Sequence, residues 1–290
     1  MFENYRTFET DFAGKKLIIE TGKVAQLSNG SCLVRYGDTV VLVNVCASDK
    51  PREGVDFFPL AVDYEERLYA VGKIPGSFLK REGKPSEKAI LTSRLIDRPI
   101  RPLFPKDMRN DVTVSILVLS VEPDCQPEIA GMIGTSVAIS ISDIPWNGPI
   151  GGVAVGYVDN EFVINPDAAQ REKSEMYVTV AGTEQKVVMI EAGANEIPED
   201  IMFNGIMRAH EEIKKIVAFI KDIQAQVGKP KFEYQSFEVD PEMFEDIKNF
   251  AEEDVKYALD TNDKKVREER LKVVKEKVIE EFSEKYPDSE

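Results

Sequence analysis

The sequence predicts an α+β fold, with a layered core over residues 1–230 followed by a small all-helical domain over residues 231–290. Short strand patterns and helical patterns follow one another without strict alternation, which favours mixed layers over a regular parallel sheet. At Gly228-Lys-Pro-Lys-Phe232 the composition changes, and the residues after it lack glycine and form two charged helical patterns. These two observations give both the fold class and the boundary between the domains.

Four strand patterns occupy the first 65 residues: Lys16–Thr21, Cys32–Tyr36, Val40–Cys46 and Phe57–Tyr64. The second and third patterns flank Gly37-Asp38, a dipeptide that is typical of a tight hairpin turn. Because Pro59 cannot donate a backbone hydrogen bond to a neighbouring strand, we place the fourth strand near a sheet edge or a bulge.

A helix and a strand are predicted after these strands. Ser86 is a suitable N-cap for a helix that extends to about Asp97. Pro99 and Pro102 are expected to bend or end this helix, because proline lacks the amide that the helix requires. The β-branched run Val112–Val121 predicts the next strand.

The segment from Pro127 to about Ile141 predicts a second helix with many small residues: Ala130, Gly131, Gly134, Thr135, Ser136 and Ala138. Small residues lower helix propensity but allow other elements to approach closely, so we interpret the segment as a tightly packed central helix. A glycine-rich phosphate cradle is the alternative. That motif requires a Lys-Ser/Thr pair after the glycines, which this segment lacks.

Four further short strands are predicted: Gly152–Val158, Glu161–Ile164, Met176–Ala181 and Lys186–Glu191. A long amphipathic helix begins at Pro198 and ends at Gly228-Lys-Pro230. Two more helices follow, from Pro241 to about Asp260 and from Asp263 to about Phe282. Because two helices alone bury little apolar surface, we expect the helical domain to be truncated or completed by neighbours.

Several classes of protein are excluded by composition. No segment approaches the roughly 18 apolar residues of a membrane-spanning helix, and the N-terminus lacks the apolar core of a signal peptide. Cys32, Cys46 and Cys125 are scattered without metal-binding spacing and predict reduced core thiols in a cytosolic protein. His210 is the single histidine, which excludes a histidine-rich metal site; we expect it at a surface or half-buried helix position.

The net charge of −15 conceals a basic segment. Residues 71–110 contain ten Lys or Arg and four Asp or Glu, a local balance of +6, so the other 250 residues carry −21. A basic segment in an acidic protein is typical of a surface that binds polyphosphate. The segment begins with residues 72–86, called here the basic loop, in which Phe78 can stack on a base while Lys80 and Arg81 hold phosphates.

The helix after the basic loop adds three arginines at spacings of four and three residues: Arg94, Arg98 and Arg101. A continuous helix would present all three on one face. The alternative is that Asp97, Glu65 or Glu66 pairs with one or two of them, and a plain solvated loop is the alternative for the basic loop itself. The surplus of cations over nearby carboxylates favours binding of a polyanion.

Motifs typical of catalysis are scarce in this chain. It has no Gly-x-Ser-x-Gly turn, no Cys/His couple and no His-Glu-x-x-His. Asp63, Glu65 and Glu66 are of a type that binds magnesium, although ion pairs with Arg67 and the basic segment are the favoured interpretation. The residues alone therefore indicate an RNA- or nucleotide-binding α+β domain without a visible active site.

The motifs that carry these features resemble the first core of bacterial polynucleotide phosphorylase. The resemblance covers about residues 1–230, continues more loosely into the final helices, and is carried by Asp56–Glu87, Ser93–Phe104, Ile144–Gly151, Val180–Thr183 and His210–Lys214. It implies a ribonuclease-PH-like (ribosomal protein S5 domain 2-like) core followed by an all-helical linker domain.

The resemblance also implies an activity. Members of this family form a homotrimeric ring whose channel admits single-stranded RNA, which they degrade from the 3′ end with inorganic phosphate as co-substrate, releasing nucleoside diphosphates in a reversible reaction. A second core, followed by KH and S1 modules, handles phosphate and Mg²⁺, so we expect no catalytic or metal-binding residue in this chain. A cytoplasmic location, no membrane, and partners in RNA degradation such as a ribonuclease or a helicase are implied too.

The resemblance assigns the neck of the RNA channel to four residues of the basic loop: Phe78, Leu79, Lys80 and Arg81. The usual sequence there is Phe-Phe-Arg-Arg. Leu79 removes one aromatic ring and Lys80 gives up the planar guanidinium, so stacking and bidentate phosphate contacts are expected to be weaker. Arg94 matches an arginine that approaches RNA in ribonuclease PH relatives, and Arg98 and Arg101 are extrapolated from the same segment.

Two other functions stay open on the sequence. The first is a non-catalytic module that binds RNA or has a purely structural role in a ring. The second is a phosphorylase for small nucleotides, which would bind mononucleotides in preference to oligomers.

Overall fold

Ten strands form two sheets in the computed structural model, within residues 3–76 and 78–287, which are the residues that the structure describes. Ser77 of the basic loop, residues 288–290 of the predicted helical domain and residues 1–2 lie outside the described residues. The core of the molecule lies where the two sheets and the helices between them meet.

The strands of the first sheet are β1 (Arg6–Phe12), β2 (Lys15–Thr21), β3 (Gly30–Tyr36), β4 (Thr39–Ala47), β5 (Leu60–Glu66) and β6 (Val112–Ser120). Their spatial order is β1-β2-β3-β4-β6-β5. Strand β3 buries every second side chain, as the alternation of apolar residues requires. The predicted β3–β4 hairpin is confirmed, and Gly37 supplies the left-handed backbone of its turn with φ of 57°.

Strand β5 is the edge strand that Pro59 predicted, and it pairs in parallel with β6. All other neighbours in this sheet are antiparallel. A parallel pair requires a long crossover connection, because the chain must return to the same end of the sheet before the next strand begins. The basic loop and helix α1 (Glu87–Ile100) form this crossover, which begins where β5 ends.

The second sheet contains β7 (Gly151–Val158), β8 (Glu161–Ile164), β9 (Met176–Gly182) and β10 (Val187–Ala194) in the order β10-β9-β7-β8, with every pair antiparallel. Helix α4 (Glu199–Val227) packs on β7 and β9 through an apolar stripe. The six-residue helix α3 (Ala168–Lys173) begins at a capping box formed by Asp167 and Gln170.

Helix α2 (Pro127–Ile141) packs against strands of both sheets, and all of its residues except Glu128 are buried. A Cβ atom on Gly134 would lie 2.7 Å from Cγ2 of both Val34 and Val43, so only glycine allows the helix to lie this close to the first sheet. The prediction of a tightly packed central helix is confirmed.

The chain divides into a compact unit up to Ser236 and a second unit from Phe237 onward. The first unit extends a few residues past the predicted boundary at 230, because this segment remains bonded to the core: the Phe232 amide donates to the Asp143 carbonyl oxygen at 2.8 Å. The second unit contains α5 (Pro241–Leu259) and α6 (Lys264–Phe282), which contact each other through the rings of Phe250 and Phe282.

Several details differ from the predictions. Strand β1 and helix α3 were not predicted, and α1 continues past Asp97 and through Pro99 to Ile100 before a 3-10 turn. Cys46 is exposed, unlike the other two cysteines, so the prediction of a core thiol is wrong for it. No helix among the described residues combines the length and the apolar content that crossing a membrane requires.

The histidine also lies deeper than expected. His210 is buried at 7% exposure, and its Nε2 atom lies 3.0 Å from the carbonyl oxygen of Thr183. The prediction of a surface or half-buried position is therefore wrong, because the long helix α4 turns this residue toward the loop between β9 and β10.

Candidate nucleic-acid interface

The basic loop projects from a short stem at the end of β5. A 3-10 helix, Leu68–Val71, follows the strand and ends at Gly72, whose φ of 69° is left-handed. The amide of Val121 donates to the carbonyl oxygen of Ala70 at 3.2 Å, which fastens this helix to the chain after β6. At the other end of the loop, Ser86 caps α1 by accepting a hydrogen bond from the Ala89 amide at 3.1 Å. The loop therefore leaves and re-enters the fold at fixed points.

One carboxylate joins the two sides of the basic loop near its base. Glu82 accepts hydrogen bonds from the Leu68 amide at 2.5 Å and from Nη1 of Arg67 at 2.9 Å. The other terminal nitrogen of Arg67 donates to Glu65. The Leu68 amide and then Arg67 hold the pKa of Glu82 below its usual value, because both stabilise the ionised form.

The tip of the basic loop, residues 78–81, differs from its base in its contacts. Phe78 is 99% exposed and Leu79 is 77% exposed, and Lys80 and Arg81 are exposed as well. Within the described residues these four side chains make no hydrogen bond and no ion pair. Lys80 has a φ of 49°, an uncommon conformation for lysine that turns the chain sharply between the aromatic residue and Arg81. An exposed ring beside unpaired cations is the arrangement that grips single-stranded nucleic acid.

The three predicted arginines of α1 separate into two kinds. Arg98 pairs with Glu191 of β10 at 2.7 Å, and Arg101 pairs with Asp97 at 2.7 Å. Arg101 also donates to the carbonyl oxygens of Phe58 and Leu60. Arg94 is exposed and has no ion-pair partner among the described residues.

Pairing with Asp97 was one of the open alternatives, and it is confirmed for Arg101. Arg94 and Arg98 lie on α1, whereas Arg101 begins the 3-10 turn that follows it, and the charges of Arg98 and Arg101 are already neutralised by neighbouring carboxylates. A contribution of Arg98 and Arg101 to a nucleic-acid interface therefore stays a prediction, and it requires these ion pairs to open.

The acidic residues at the end of β5 serve local contacts. Glu65 pairs with Arg67, and Glu66 accepts hydrogen bonds from Lys88 at 3.2 Å and from the hydroxyl of Tyr64 at 3.0 Å. Burial, and then the negative charge of Glu66, raise the pKa of the Tyr64 hydroxyl. The interpretation as ion pairs with Arg67 and the basic segment is confirmed for Glu65 and Glu66. Among the described residues no group of three or more His, Cys, Asp or Glu is arranged to hold a metal ion.

Two features of this surface were not predicted from the sequence. The first is the position of Glu82, which the charge pattern alone did not distinguish from a solvated residue. The second is a set of exposed apolar side chains around the loop and on α1: Leu68, Tyr69, Val71, Ile74, Ile90 and Leu91. Exposed apolar side chains mark an interaction surface where they form a contiguous patch.

Two sequence models of the 3′ exoribonuclease family match the chain, domain 1 over residues 13–145 and domain 2 over residues 148–212. The first match covers β2 to β6, the basic loop and α2, and the second covers the four-stranded sheet and the first half of α4. The boundary between the two matches therefore falls between α2 and β7.

Curated relatives match almost the whole chain. A polyribonucleotide nucleotidyltransferase of Ruminiclostridium cellulolyticum is 59% identical over 286 residues, which are 99% of this chain and 41% of that protein. The protein of the same name in Clostridioides difficile is 56% identical over 282 residues, 97% of this chain and 40% of the relative. The chain thus spans about 40% of the length of the curated relatives it matches.

A solved structure supports the fold. Rice Rrp46 superposes with a TM-score of 0.55 at 13% identity, covering 77% of this chain and 96% of that chain. At this identity the likeness shows the fold alone. With the two family matches it confirms the predicted ribonuclease-PH-like α+β fold.

Proposed function

Since the chain belongs to the 3′ exoribonuclease family, we propose that it is part of a polyribonucleotide nucleotidyltransferase that shortens RNA from its 3′ end by phosphorolysis. Relatives of 56–59% identity are polyribonucleotide nucleotidyltransferases, which supports this enzyme class. In the proposed reaction, inorganic phosphate attacks the phosphorus of the last nucleotide. The bond from that phosphorus to the preceding 3′ oxygen breaks, and a nucleoside diphosphate leaves.

The proposed role of this chain is to grip and guide single-stranded RNA. The observation that carries the proposal is the tip of the basic loop, where Phe78, Lys80 and Arg81 are exposed without a partner among the described residues. Unpaired cations keep their full attraction for phosphate, and an exposed ring can stack on any base. Arg94 is a further cation of the same kind, whereas Arg98 and Arg101 would first have to leave their carboxylates.

Magnesium and the bond-breaking step are proposed to lie outside this chain. Two of the three carboxylates that the sequence offered for Mg²⁺ are engaged by neighbours, which supports this proposal: Glu65 is bonded to Arg67, and Glu66 to Lys88 and Tyr64. We therefore expect the 290-residue chain to bind RNA weakly and to release no nucleoside diphosphate from poly(A) with phosphate and magnesium. Release of that product by the chain alone would contradict this assignment.

We also propose that the chain contributes to a homotrimeric ring around an RNA channel. The exposed apolar residues around the basic loop and α1 support a contact between subunits, since surfaces of this kind are usually covered in an assembly. Measuring the mass of the chain in solution tests this proposal. A trimer is expected, and a monomer at every concentration would contradict the proposal. An RNA-degrading enzyme is expected in the cytoplasm, where a ribonuclease or a helicase of the same machinery would be its partner.

The grip on RNA is tested by binding of a labelled oligo(U) across a salt series. Phe78→Ala is expected to weaken binding by the roughly 1–3 kcal/mol of one stacked base, with the salt slope unchanged. Arg81→Ala is expected to weaken binding and to reduce the slope of log K against log salt by about 0.7, the value for one phosphate contact with a single strand.

Matched controls lie on other surfaces. Phe203→Ala removes a ring that is 62% exposed on α4, and Lys173→Ala removes an exposed cation of α3. Both controls should leave oligo(U) binding unchanged. If the loop variants bind like the controls, the basic loop is not an RNA grip and the chain is a structural module.

A further inference from the structure

We infer that Glu82 is a positioning residue, which holds the basic loop in the form that receives RNA. The inference rests on the proposed function. Its starting point is the pair of hydrogen bonds from the Leu68 amide and the Arg67 guanidinium to the two carboxylate oxygens of Glu82. These bonds close the chain into a ring that includes Phe78, Lys80 and Arg81.

The Leu68 amide has a particular need for this acceptor. Leu68 is the first residue of the 3-10 helix, and the first amides of a helix have no acceptor within it. Arg67 occupies the N-cap position, but its side chain makes no capping hydrogen bond. Glu82, which follows the tip of the loop in the sequence, supplies the missing acceptor. Glu82 thereby joins the start of the 3-10 helix to the part of the basic loop that leads back to α1.

Few other contacts hold the loop inside this ring. The Lys73 amide donates to the carbonyl oxygen of Leu68 at 2.9 Å. Between residues 74 and 81, the described side chains make no hydrogen bond and no ion pair. Without Glu82, no side chain of the loop tip would restrain the loop, and it would sample more conformations. RNA binding would then have to order the loop at a cost in conformational entropy. With Glu82 in place, the loop is already ordered before RNA binds, so this cost is smaller.

The sign of the effect separates this role from simple electrostatics. Glu82 is a negative charge beside the cations that hold phosphate, so its removal should strengthen RNA binding if charge alone matters. If Glu82 holds the loop in place, its removal should weaken RNA binding even though the local charge becomes more positive. Glu87→Gln is the matched control, because Glu87 is exposed, has no hydrogen-bond partner among the described residues, and gives the same change of charge five positions away.

Two variants should form a graded series in oligo(U) binding. Glu82→Ala removes both acceptors and is expected to weaken oligo(U) binding about 5- to 10-fold. This loss corresponds to the entropic cost of ordering a few mobile side chains and their loop on binding. Glu82→Gln keeps one oxygen for the Leu68 amide but presents an NH₂ group to Arg67, so a loss of about 2- to 3-fold is expected. Glu87→Gln should bind as tightly as the unmodified chain or slightly more tightly.

A second readout reports on the loop without RNA. Hydrogen exchange of a peptide covering residues 67–73 should accelerate in Glu82→Ala, because the amides of Leu68 and Lys73 lose their protection. Exchange in the buried helix α2 should stay slow in the same sample, which shows that the variant is folded. If Glu82→Ala does not fold, the Gln variant gives the same comparison with a smaller change.

The pH dependence of oligo(U) binding distinguishes a specific role of the Glu82 carboxylate from a general loss of structure in the variant. Glu82 has its pKa lowered from the ordinary value of 4.5, first by the Leu68 amide and then by Arg67. The stabilisation of the loop by the ionised Glu82 is therefore complete at pH values above the ordinary pKa of 4.5. It is lost as the pH falls through the lowered pKa of Glu82. The charged groups that line the same clefts as Glu82 are Glu65, Glu66 and Arg67 from β5 and its end, and Lys73, Lys80, Arg81 and Lys84 from the loop.

Oligo(U) suits this profile because uracil does not ionise in acid. The affinity ratio between the unmodified chain and Glu82→Ala should be constant from about pH 7.5 to about pH 5 and should fall toward one below that range. A ratio that is independent of pH would contradict the role of the ionised carboxylate.

The outcomes distinguish this inference from the proposed function. Faster exchange with unchanged oligo(U) binding would mean that Glu82 holds a loop that does not receive RNA, and the inference fails. Unchanged exchange and binding in the Glu82 variants, with a loss in Phe78→Ala, would overturn the role of Glu82 while leaving the RNA grip intact. Tighter binding in Glu82→Ala would mean that charge alone decides.

Discussion

Helix α2 and the tip of the basic loop differ in nearly every physical respect. All residues of α2 but Glu128 are buried, and its small residues let strands of both sheets pack closely against it. Phe78 and Arg81 in the loop are exposed and touch no partner among the described residues. A side chain with many partners contributes to folding, whereas a side chain with none is available to a ligand. Substitutions in α2 should therefore change stability without changing RNA affinity, and substitutions in the loop should do the reverse.

The largest effect is expected from the middle of α2. Ile133 is fully buried between the two sheets, and Ile133→Ala should lower the free energy of unfolding by about 2–5 kcal/mol through lost apolar burial and the cavity that remains. Urea unfolding followed by circular dichroism measures this change. Oligo(U) affinity of the folded variant should be unchanged, and a parallel loss of affinity would break the separation between the two regions.

The C-terminus of α2 should show a smaller effect on stability. The ammonium group of Lys231 donates to the carbonyl oxygens of Ile139, Ser140 and Ser142 at 3.2, 3.1 and 2.6 Å. Burial lowers the pKa of Lys231, yet its ammonium group donates charge-assisted hydrogen bonds to three carbonyl oxygens at the end of the helix. Lys231→Met keeps the length of the chain and should cost about 1–2 kcal/mol, as expected for charge-assisted hydrogen bonds at a half-buried site.

Lys229→Met is the matched control for this change. Lys229 is exposed, and among the described residues its side chain donates only to the carbonyl oxygen of Asn29, at 2.7 Å. Its loss should cost less than that of Lys231 in the same urea experiment. Equal effects of the two variants would mean that the carbonyl oxygens at the end of α2 are satisfied in another way.

The two regions also differ in how far the sequence predicted them. The bounds of α2, Pro127–Ile141, were predicted from a proline suited to the first turn and a continuous apolar and small-residue run. Strand β1 was missed because it is mostly exposed and therefore carries no strong apolar alternation. Helix α3 was missed because six residues are too few for a periodic pattern, although Asp167 and Gln170 mark its start.

In the candidate site, residue type predicted the exposed tip but not the choice of ion-pair partners. Arg98 and Glu191 are separated by 93 positions in the sequence, so only the packing of α1 beside β10 brings them together. Asp97 lies four residues before Arg101, which begins the 3-10 turn after α1, and that pair was among the alternatives. The contacts of Glu82 depend on the path of the loop, which the composition of the loop does not determine.

Leu79→Phe should strengthen RNA binding while leaving stability unchanged. Leu79 is 77% exposed, so the ring of a phenylalanine at this position would meet no packed neighbour. One further stacked base is worth roughly 1–3 kcal/mol of binding free energy. We expect at least about a fivefold gain in oligo(U) affinity, near the lower end of that range. The urea midpoint should stay within error of the unmodified chain. A loss of affinity would show that Leu79 faces away from the RNA.

The smallest effect should separate Arg94 from Arg98 on the same helix. Arg94→Ala removes a cation with no partner among the described residues, so the salt slope of oligo(U) binding should fall by about 0.7 with no change in stability. Arg98→Ala breaks an exposed ion pair with Glu191, so stability should fall by about 0–1 kcal/mol and the salt slope should stay constant. If Arg98→Ala reduces the salt slope as much as Arg94→Ala does, the ion pair with Glu191 opens when RNA binds. The interface would then extend along α1 toward β10, and part of the surface assigned here to folding would belong to the grip on RNA.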